Sequence, residues 1–466
     1  MDFPVFHLDF FGNRMLVAGI AILHVVVNHA FAVGAVPLIV ALEWWGQRKQ
    51  NAEWDELARK ILFVCFIVTT SVGALTGVGI WFSVALVNPY AIGSLIRVFF
   101  WAWFFEWTVF VTEVVLILIY FLSWRTDWRR RHPRGHLALG WALAAASWLT
   151  MAVIVAVLGF QMDTGVWTVD PGFWTAVLNP IYLPQLFFRT PFALVTAGLV
   201  GLMLTGFFTR RDPEFRGRAV RTVSVWVLVF TGPWLLAGWS YWQAIPERML
   251  ANVPTALTTL AFQDYLDPLR VLLVVSVLAV LAVVAWGLAW PRRLPAVVLT
   301  VPVLLAVWQL SYFERVREFI RKPDVIEAYM YSNALRGADY PLYAEEGLLA
   351  HATYTPVREV TEQNRLLAGR EMFRLACSRC HTTHGVNGVV AKFGAMYGWQ
   401  PWDPADVATD LAGMHSTRPF MPPLAGTPEE RAALAAYLVA LRDDPAGLAG
   451  AQTAGAQTAG ATGPTR

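Results

Sequence analysis

The sequence predicts an all-α protein in which a membrane bundle of about eight helices precedes a small soluble helical domain. The first reason is composition, because 56% of the 466 residues are hydrophobic and only 15% are charged. A soluble domain has about 25% charged residues. The second reason is that the hydrophobic residues are clustered into runs of about 20 residues or more, the length that crosses a bilayer as a helix.

Eight runs have this length, at residues 15–43, 61–86, 97–124, 137–161, 184–208, 219–242, 270–290 and 295–313. Residues 1–313 are therefore predicted to form the membrane bundle. A connector at 314–355 leads to the soluble domain at 356–443. Residues 444–466 repeat Ala, Gly, Gln and Thr, and we expect this low-complexity tail to be disordered.

Basic residues occur in every second loop of the predicted bundle. The loops at 44–60, 125–136 and 209–222 are rich in Lys and Arg, whereas those at 87–96 and 163–183 have none. Because basic loops stay in the cytoplasm, the N-terminus is predicted to lie outside, and eight spans return the chain to that side. This predicts a multi-pass protein of a bacterial inner membrane, with the lipid bilayer as a partner. The net charge of +3 comes from the cytoplasmic loops, so no nucleic-acid partner is predicted.

The most specific chemical signal is the C-x-x-C-H segment from Cys377 to His381. The thiols of Cys377 and Cys380 can form thioethers with the two vinyl groups of one haem, and His381 can ligate its iron. The alternative is half of a zinc site, but no second Cys/His pair follows at zinc-finger spacing. The remaining Cys65 lies in an apolar run and is predicted to be buried. The motif predicts one covalent haem c on the periplasmic side.

The residues around this motif follow a recognisable order. A helix is predicted over 361–376, a Met421-Pro-Pro loop follows the motif, and a final helix begins at Thr427. In this order, residues 356–443 resemble a class I cytochrome c. The resemblance implies that His381 is the proximal ligand of the haem c iron and Met421 the distal one.

Two further side chains remain open as the distal ligand. Met414 and His415 precede Met421 by seven and six residues. Met421 is favoured because Pro422 and Pro423 stiffen the loop that carries it.

Ionisable residues inside the predicted spans are functional hypotheses, because charges are costly in a bilayer. His24 and His29 lie about 140° apart around a helix, so they cannot bind one iron. Each is a candidate ligand of a membrane haem; the alternative is a buried imidazole bonded to a backbone carbonyl. Glu106 and Glu113 share one helix face and predict a proton path, a haem ligand or neighbour, or a counter-charge for Arg189.

The first four spans contain a series of short motifs. These are Asn13-Arg14 ten residues before His24, Thr76-Gly77, the paired glutamates of span three followed by Trp124, and Gly159-Phe160-Gln161-Met162. In this order and spacing, residues 10–165 resemble the haem-bearing subunit I of cytochrome bd-type quinol oxidases. The resemblance implies that His24 is the axial ligand of the oxygen-site haem. Glu113 then corresponds to one of the two carboxylates of span three, whereas Glu106 lies one residue from the expected place.

The sequence also departs from that family. Arg189 stands near the place of a ligating His in the fifth span, and residues 270–290 lack the ligating Met of the seventh. The quinol-binding loop is short, and the cytochrome domain replaces the ninth span. We therefore expect the low-spin quinol-side haem to be lost and haem c to deliver electrons instead. Arg189 would pair with a haem propionate or a carboxylate, or extend to the membrane surface.

The resemblance implies membrane electron transfer between periplasmic haem c and one or two haems b, or a quinone, in a bd-oxidase-like complex. The chain is then an oxidoreductase component, either of a terminal oxidase or of a quinol/cytochrome c electron-transfer system. A second integral membrane subunit and a periplasmic redox protein or quinol are the expected partners. One alternative is a relay and anchor subunit for a separate periplasmic enzyme, without oxygen chemistry. Another is a haem-based sensor or structural subunit.

Overall fold

The computed structural model describes residues 4–258, 266–398 and 400–443. The predicted disordered tail at 444–466 lies outside these residues. The chain divides into two compact units. The bundle unit comprises residues 20–80 and 95–320, and the terminal unit contains residues 4–19, 81–94 and 321–443 among those described.

Helices make up nearly all of the regular structure in the first part of the chain. They are α1 (Asn13–Val27), α2 (Ala35–Lys49), α3 (Ala52–Val68), α4 (Ala74–Val87), α5 (Pro89–Val98), α6 (Phe100–Ser123), α7 (Asp127–Arg131), α8 (Pro133–Met162), α9 (Phe173–Val177), α10 (Tyr182–Phe208), α11 (Pro213–Ala244), α12 (Glu247–Leu250), α13 (Val253–Thr258), α14 (Leu266–Ala289) and α15 (Val301–Ile320). Two π-helical segments, Asn28–Val33 and Thr69–Gly73, join α1 to α2 and α3 to α4.

Among the described residues, seven helical stretches are long and apolar enough to cross a membrane. They are Asn13–Lys49, Ala52–Val87, Phe100–Ser123, Pro133–Met162, Tyr182–Phe208, Pro213–Ala244 and Arg270–Ala289. The eighth predicted span corresponds to α15, which is a helix but is not one of these seven. Its C-terminal half carries Glu314, Arg315, Arg317 and Glu318, and these charges lower its hydropathy.

The bundle unit is held together by a continuous apolar core and by capped helix ends. Ile39, Leu62, Leu143 and Val223 come from four different helices and are fully buried in this core. At the start of α3, the side chain of Asn51 accepts hydrogen bonds from the backbone N–H groups of Glu53 and Trp54. Such N-caps satisfy donors that the first helical turn leaves without partners.

The terminal unit contains a two-stranded antiparallel hairpin and six short helices in its C-terminal part. The strands are β1 (Asp324–Ile326) and β2 (Met330–Tyr331). The helices are α16 (Tyr340–Glu346), α17 (Leu348–His351), α18 (Arg365–Met372), α19 (Val389–Tyr397), α20 (Pro404–Thr417) and α21 (Pro428–Asp443). Helix α18 begins four residues later than predicted, and the π-helical segment Phe373–Cys377 continues it.

Helices α18 and α21 cross at close distance. A Cβ atom on Gly369 would overlap the backbone carbonyl group of Ala433, so this crossing requires glycine. Helix α21 begins at the predicted position, where Thr427 and Glu430 form a capping box. The Thr427 hydroxyl accepts from the Glu430 N–H (3.3 Å), and the Glu430 carboxylate accepts from the Thr427 N–H (3.1 Å).

Candidate functional site

The C-x-x-C-H segment forms a tight turn directly after α18. The carbonyl oxygen of Cys377 accepts hydrogen bonds from the backbone N–H groups of Cys380 (3.0 Å) and His381 (2.9 Å). Both thiols are free, and the side chains of all three residues are half-buried. The turn therefore places two thiols and one imidazole on a single short segment.

The imidazole of His381 is oriented by the residues that follow it. Its Nδ1 atom lies 3.1 Å from the carbonyl oxygen of Asn387, and the Asn387 amide donates to the carbonyl of Cys380 (2.8 Å). Because Nδ1 is engaged, Nε2 is the ring nitrogen that remains for iron. Burial lowers the pKa of His381 to about 4, so the imidazole is neutral near pH 7. The neutral imidazole is the form that ligates metals.

The three candidate distal ligands lie near the end of α20. Met421 is half-buried in the segment between α20 and α21. Its N–H donates to the carbonyl of Arg418 (2.8 Å), and its carbonyl accepts from Nδ1 of His415 (2.5 Å). His415 therefore holds the backbone of Met421, while Met414 belongs to α20.

The zinc alternative for the two thiols requires further ligands. In the described ranges 4–258, 266–398 and 400–443, no group of three or more His, Cys, Asp and Glu side chains could hold a metal ion. A structural zinc site is usually built from four such ligands. The described residues therefore offer Cys377 and Cys380 no zinc site.

In the bundle unit, His24 on α1 faces the start of α4. Its Nδ1 atom lies 3.1 Å from the hydroxyl oxygen of Thr76, and that hydroxyl donates to the carbonyl of Val72 (2.6 Å). The Thr76 oxygen thus accepts the Nδ1 proton, which leaves Nε2 as the ring nitrogen that a metal ion could bind. Gly77 leaves room for the ring, because a Cβ atom there would lie only 3.2 Å from Cε1 of His24. The two residues of the Thr76-Gly77 motif therefore both lie beside the ring of His24.

His29 is buried in the π-helical segment and has partners on both ring nitrogens. Nδ1 lies 2.9 Å from the carbonyl oxygen of Val25, and Nε2 lies 3.4 Å from Nη1 of Arg189. This corresponds to the alternative in which the imidazole bonds to a backbone carbonyl. His24 and His29 thus contact different groups, as their spacing predicted.

Arg189 is 2% exposed and forms a buried ion pair with Glu314 on α15. Its Nη2 atom lies 2.8 Å from the Glu314 carboxylate, which also accepts from Nε of Arg317 (2.7 Å). The carboxylate partner of Arg189 is therefore Glu314 rather than Glu106 or Glu113, the two partners that the sequence suggests. The Nε atom of Arg189 has no hydrogen-bond partner among the described residues.

Glu106 and Glu113 lie on one face of α6, two turns apart. Glu113 accepts a hydrogen bond of 2.6 Å from the hydroxyl of Ser147 on α8. Both carboxylates are half-buried, and Glu106 makes no hydrogen bond within the described part of the chain. The structure thus gives the two glutamates different surroundings on one helix face.

Sequence reasoning missed a buried polar cluster around Glu43. The Glu43 carboxylate accepts from the hydroxyl of Tyr120 (2.6 Å), contacts Nδ1 of His136 (2.6 Å) and pairs with Arg129 (3.1 Å). Tyr120 lies seven residues beyond Glu113, so it continues the same polar face of α6. The position of Glu43 at the end of the first apolar run could have indicated this cluster, because a carboxylate in a membrane span needs a polar partner.

Residues 364–438 match the family model described as cytochrome C oxidase, cbb3-type, subunit III. The match includes α18, the C-x-x-C-H turn and most of α21. The C-terminal region is a cytochrome c domain. This confirms the predicted resemblance to cytochrome c at the end of the chain.

A solved structure of bd oxidase from Geobacillus thermodenitrificans is similar to this chain. The similarity covers 69% of this chain and 91% of the bd oxidase chain, with a TM-score of 0.56 and 17% sequence identity. At this identity the likeness is one of fold. No curated protein matches the sequence. The chain is thus a multi-pass membrane protein with a bd-oxidase-like helical region joined to a cytochrome c domain.

The residues of the cytochrome c domain fit a covalently bound haem c. Cys377 and Cys380 supply two free thiols in one turn, and the adjacent His381 supplies an imidazole whose Nδ1 atom is already engaged. When bound, such a group supplies one-electron transfer. The membrane helices and the cytochrome c domain together support a membrane-bound, haem-based role in electron transfer.

Proposed function

We propose that this chain transfers electrons between periplasmic haem c and a haem b or quinone in the membrane, within a bd-oxidase-like complex. The observation that carries this proposal is the environment of His24 in a chain with a cytochrome c domain. Thr76 orients the imidazole, and Gly77 leaves space beside the ring. A haem held by His24 would exchange single electrons.

The position of the N-terminal segment supports the proposed orientation in a bacterial inner membrane. Residues 4–19 and the cytochrome c domain belong to one compact unit, in which the Val386 N–H donates to the carbonyl of Phe10 (3.1 Å). Segments in contact lie on one side of a membrane, so the chain between them crosses it an even number of times. The seven apolar helices alone would give an odd number of crossings, so the proposed orientation requires that α15 crosses as well. The basic loops support the assignment of this shared side to the periplasm.

We assign Glu106 and Glu113 to a proton path beside the membrane haem. The Ser147 hydroxyl that donates to Glu113 can also accept, so it can pass a proton to the carboxylate. Glu106 lies on the same face of α6 and extends the row of polar groups. Carboxylates in membrane spans commonly mark such proton relays.

We retain Arg189 as a candidate propionate partner. Glu314 occupies its Nη2 atom, while Nε is buried without a partner among the described residues. A propionate oxygen could accept from that N–H. His29 is a weaker candidate for iron than His24, because its Nε2 atom already faces Arg189.

The surface of α6 supports a second integral subunit as a partner. Only 17% of the most apolar stretch of α6 is buried, against 67% for α8. The exposed side chains include Phe100, Trp101, Phe104, Phe105 and Trp107. Glu106 lies among them, and a carboxyl group is unfavourable beside lipid tails. A second subunit with a polar side chain at the same depth could form a hydrogen bond with the Glu106 carboxyl group.

Within the cytochrome c domain, we propose Met421 as the distal ligand. Replacing Met421 with alanine is expected to lower the midpoint potential of haem c and open its iron to carbon monoxide, because the thioether ligand is lost. Redox titration and carbon monoxide difference spectra would measure both effects. Met414→Ala is the matched control and should change neither. The assignment is wrong if the Met414 variant, and not the Met421 variant, opens the iron.

The first experiment is a haem inventory of the purified chain. Pyridine haemochrome analysis and reduced-minus-oxidised spectra, with and without carbon monoxide, are expected to give one haem c and one or two haems b. A membrane haem that reacts with carbon monoxide would identify an open iron site and favour oxygen reduction. Finding haem c alone would refute the proposed membrane haem.

One observation favours a second candidate function, a relay and anchor subunit that serves a separate periplasmic enzyme. Within the described part of the bundle unit, both ring nitrogens of His29 and of His136 have hydrogen-bond partners. Among the histidines described in the predicted spans, His24 is then the one suited to iron. An oxidase, however, needs a donor haem beside its oxygen site. A membrane haem whose spectrum does not change with carbon monoxide would support the relay and anchor function.

A further inference from the structure

Residues 6–12, near the N-terminus, form a compact turn that we call the N-terminal strap. The turn closes through a hydrogen bond from the Gly12 N–H to the carbonyl of Leu8 (2.8 Å). The buried side chain of Asn13 ties it together, since Asn13 accepts from the Leu8 N–H (2.9 Å) and donates to the carbonyl of Phe6 (2.6 Å). The strap is therefore a built structure that leads directly into α1.

The strap packs against the proximal loop, residues 382–388, which connects His381 to α19. The Asp9 carboxylate accepts hydrogen bonds from both the N–H (2.6 Å) and the hydroxyl of Thr383. The carbonyl of Phe10 accepts from the Val386 N–H (3.1 Å). A Cβ atom on Gly385 would overlap the carbonyl oxygens of Asp9 and Phe10, so the two backbones approach as closely as glycine allows.

The charge of Asp9 strengthens this contact. Burial acts to raise its pKa, but hydrogen bonds from His7 and Thr383 outweigh burial and hold the pKa at about 2. Asp9 is therefore ionised near neutral pH, and hydrogen bonds to an ionised acceptor are about twice as strong as neutral ones. His7 also contacts the ring of Phe373, four residues before Cys377, at 5.8 Å between centroids. The strap thus touches the chain on both sides of the C-x-x-C-H turn.

We infer that Asp9 is a positioning residue for the haem c site and acts through the proximal loop on His381. The loop contains Asn387, whose carbonyl oxygen orients the His381 ring through Nδ1. Outer partners of this kind fix the direction of a ligand and raise its basicity. A more basic imidazole stabilises the oxidised iron, so the strap lowers the potential of haem c. This inference concerns the cytochrome c domain and does not depend on the membrane haem.

The test compares Asp9→Asn with the full-length wild-type chain. We expect haem c to remain attached, its midpoint potential to rise, and the Val386 amide to lose protection from hydrogen exchange. Asp406→Asn is the matched control, because Asp406 is an exposed carboxylate of the same domain at the start of α20. It removes the same charge without touching the strap and should change neither readout.

A second pair of variants keeps the charge of Asp9. Thr383→Val removes the hydroxyl donor and should shift the potential in the same direction by a smaller amount, while Thr383→Ser retains the donor and should match the wild type. An Asp9→Asn protein with an unchanged potential would overturn the inference, even if Val386 lost protection, because the strap would then be only a tether. A potential that shifts equally in Asp406→Asn would also overturn it.

Discussion

Replacing His24 with alanine is expected to remove the proposed membrane haem and to leave haem c in place. The reason is that His24 is the imidazole whose Nδ1 atom is oriented by Thr76 and whose Nε2 atom remains for iron. Difference spectra and pyridine haemochrome analysis of the purified variant would measure the loss. We expect the b-type signal to fall to background while the haem c bands keep their wild-type intensity.

His29→Gln is the matched control, because glutamine retains an oxygen that can accept from Arg189. This variant should keep the membrane haem. A further variant tests the space beside the ring: Gly77→Ala places a methyl group 3.2 Å from Cε1 of His24 and should alter the membrane haem spectrum. An unchanged b-type signal in His24→Ala would show that another residue holds the haem.

Replacing Glu314 with glutamine is expected to destabilise the bundle by about 3–5 kcal/mol, the usual cost of breaking a buried ion pair. Glu314 is the carboxylate between Arg189 and Arg317, and its loss would leave two guanidinium groups buried without their charged partner. The effect would be measured as a lower midpoint temperature of unfolding in detergent.

Glu214→Gln is the control for this change. Glu214 pairs with Arg292 at 3.4 Å, but both side chains are exposed, and such pairs contribute little. We expect the control to unfold at nearly the wild-type temperature. If the midpoint temperature of Glu314→Gln equals that of the control, another anion must neutralise Arg189 and Arg317. That result would favour a haem propionate at Arg189.

Much of the fold follows from the sequence because its signals are local. A run of about 20 apolar residues forms a helix in a bilayer, since every backbone polar group must bond within the segment. Seven of the predicted spans are therefore found as apolar helices. The C-x-x-C-H motif is equally local, because Cys377, Cys380 and His381 lie within one turn of the chain. The start of α21 at Thr427 and Pro428 is a third case.

The candidate site in the membrane could be predicted only as a set of residue types. Sequence spacing placed His24 and His29 on different faces of a helix. It could not indicate that His29 would meet Arg189, 160 residues away. It likewise could not pair Arg189 with Glu314, or Glu43 with Tyr120 and His136. Those pairings depend on which helices pack side by side, and helix packing is set by side-chain shape rather than by periodicity.

The sequence by itself thus determined the number and kind of building blocks: apolar helices, a cytochrome c motif and a few costly ionisable groups. The tertiary structure alone decided which protein group each of those ionisable side chains contacts. In the folded chain, Arg189 pairs with Glu314 and His24 contacts Thr76. Asp9 of the strap accepts a hydrogen bond from Thr383. The physical reason is that helix formation depends on neighbours along the chain, whereas the pairing of buried polar groups depends on neighbours in space.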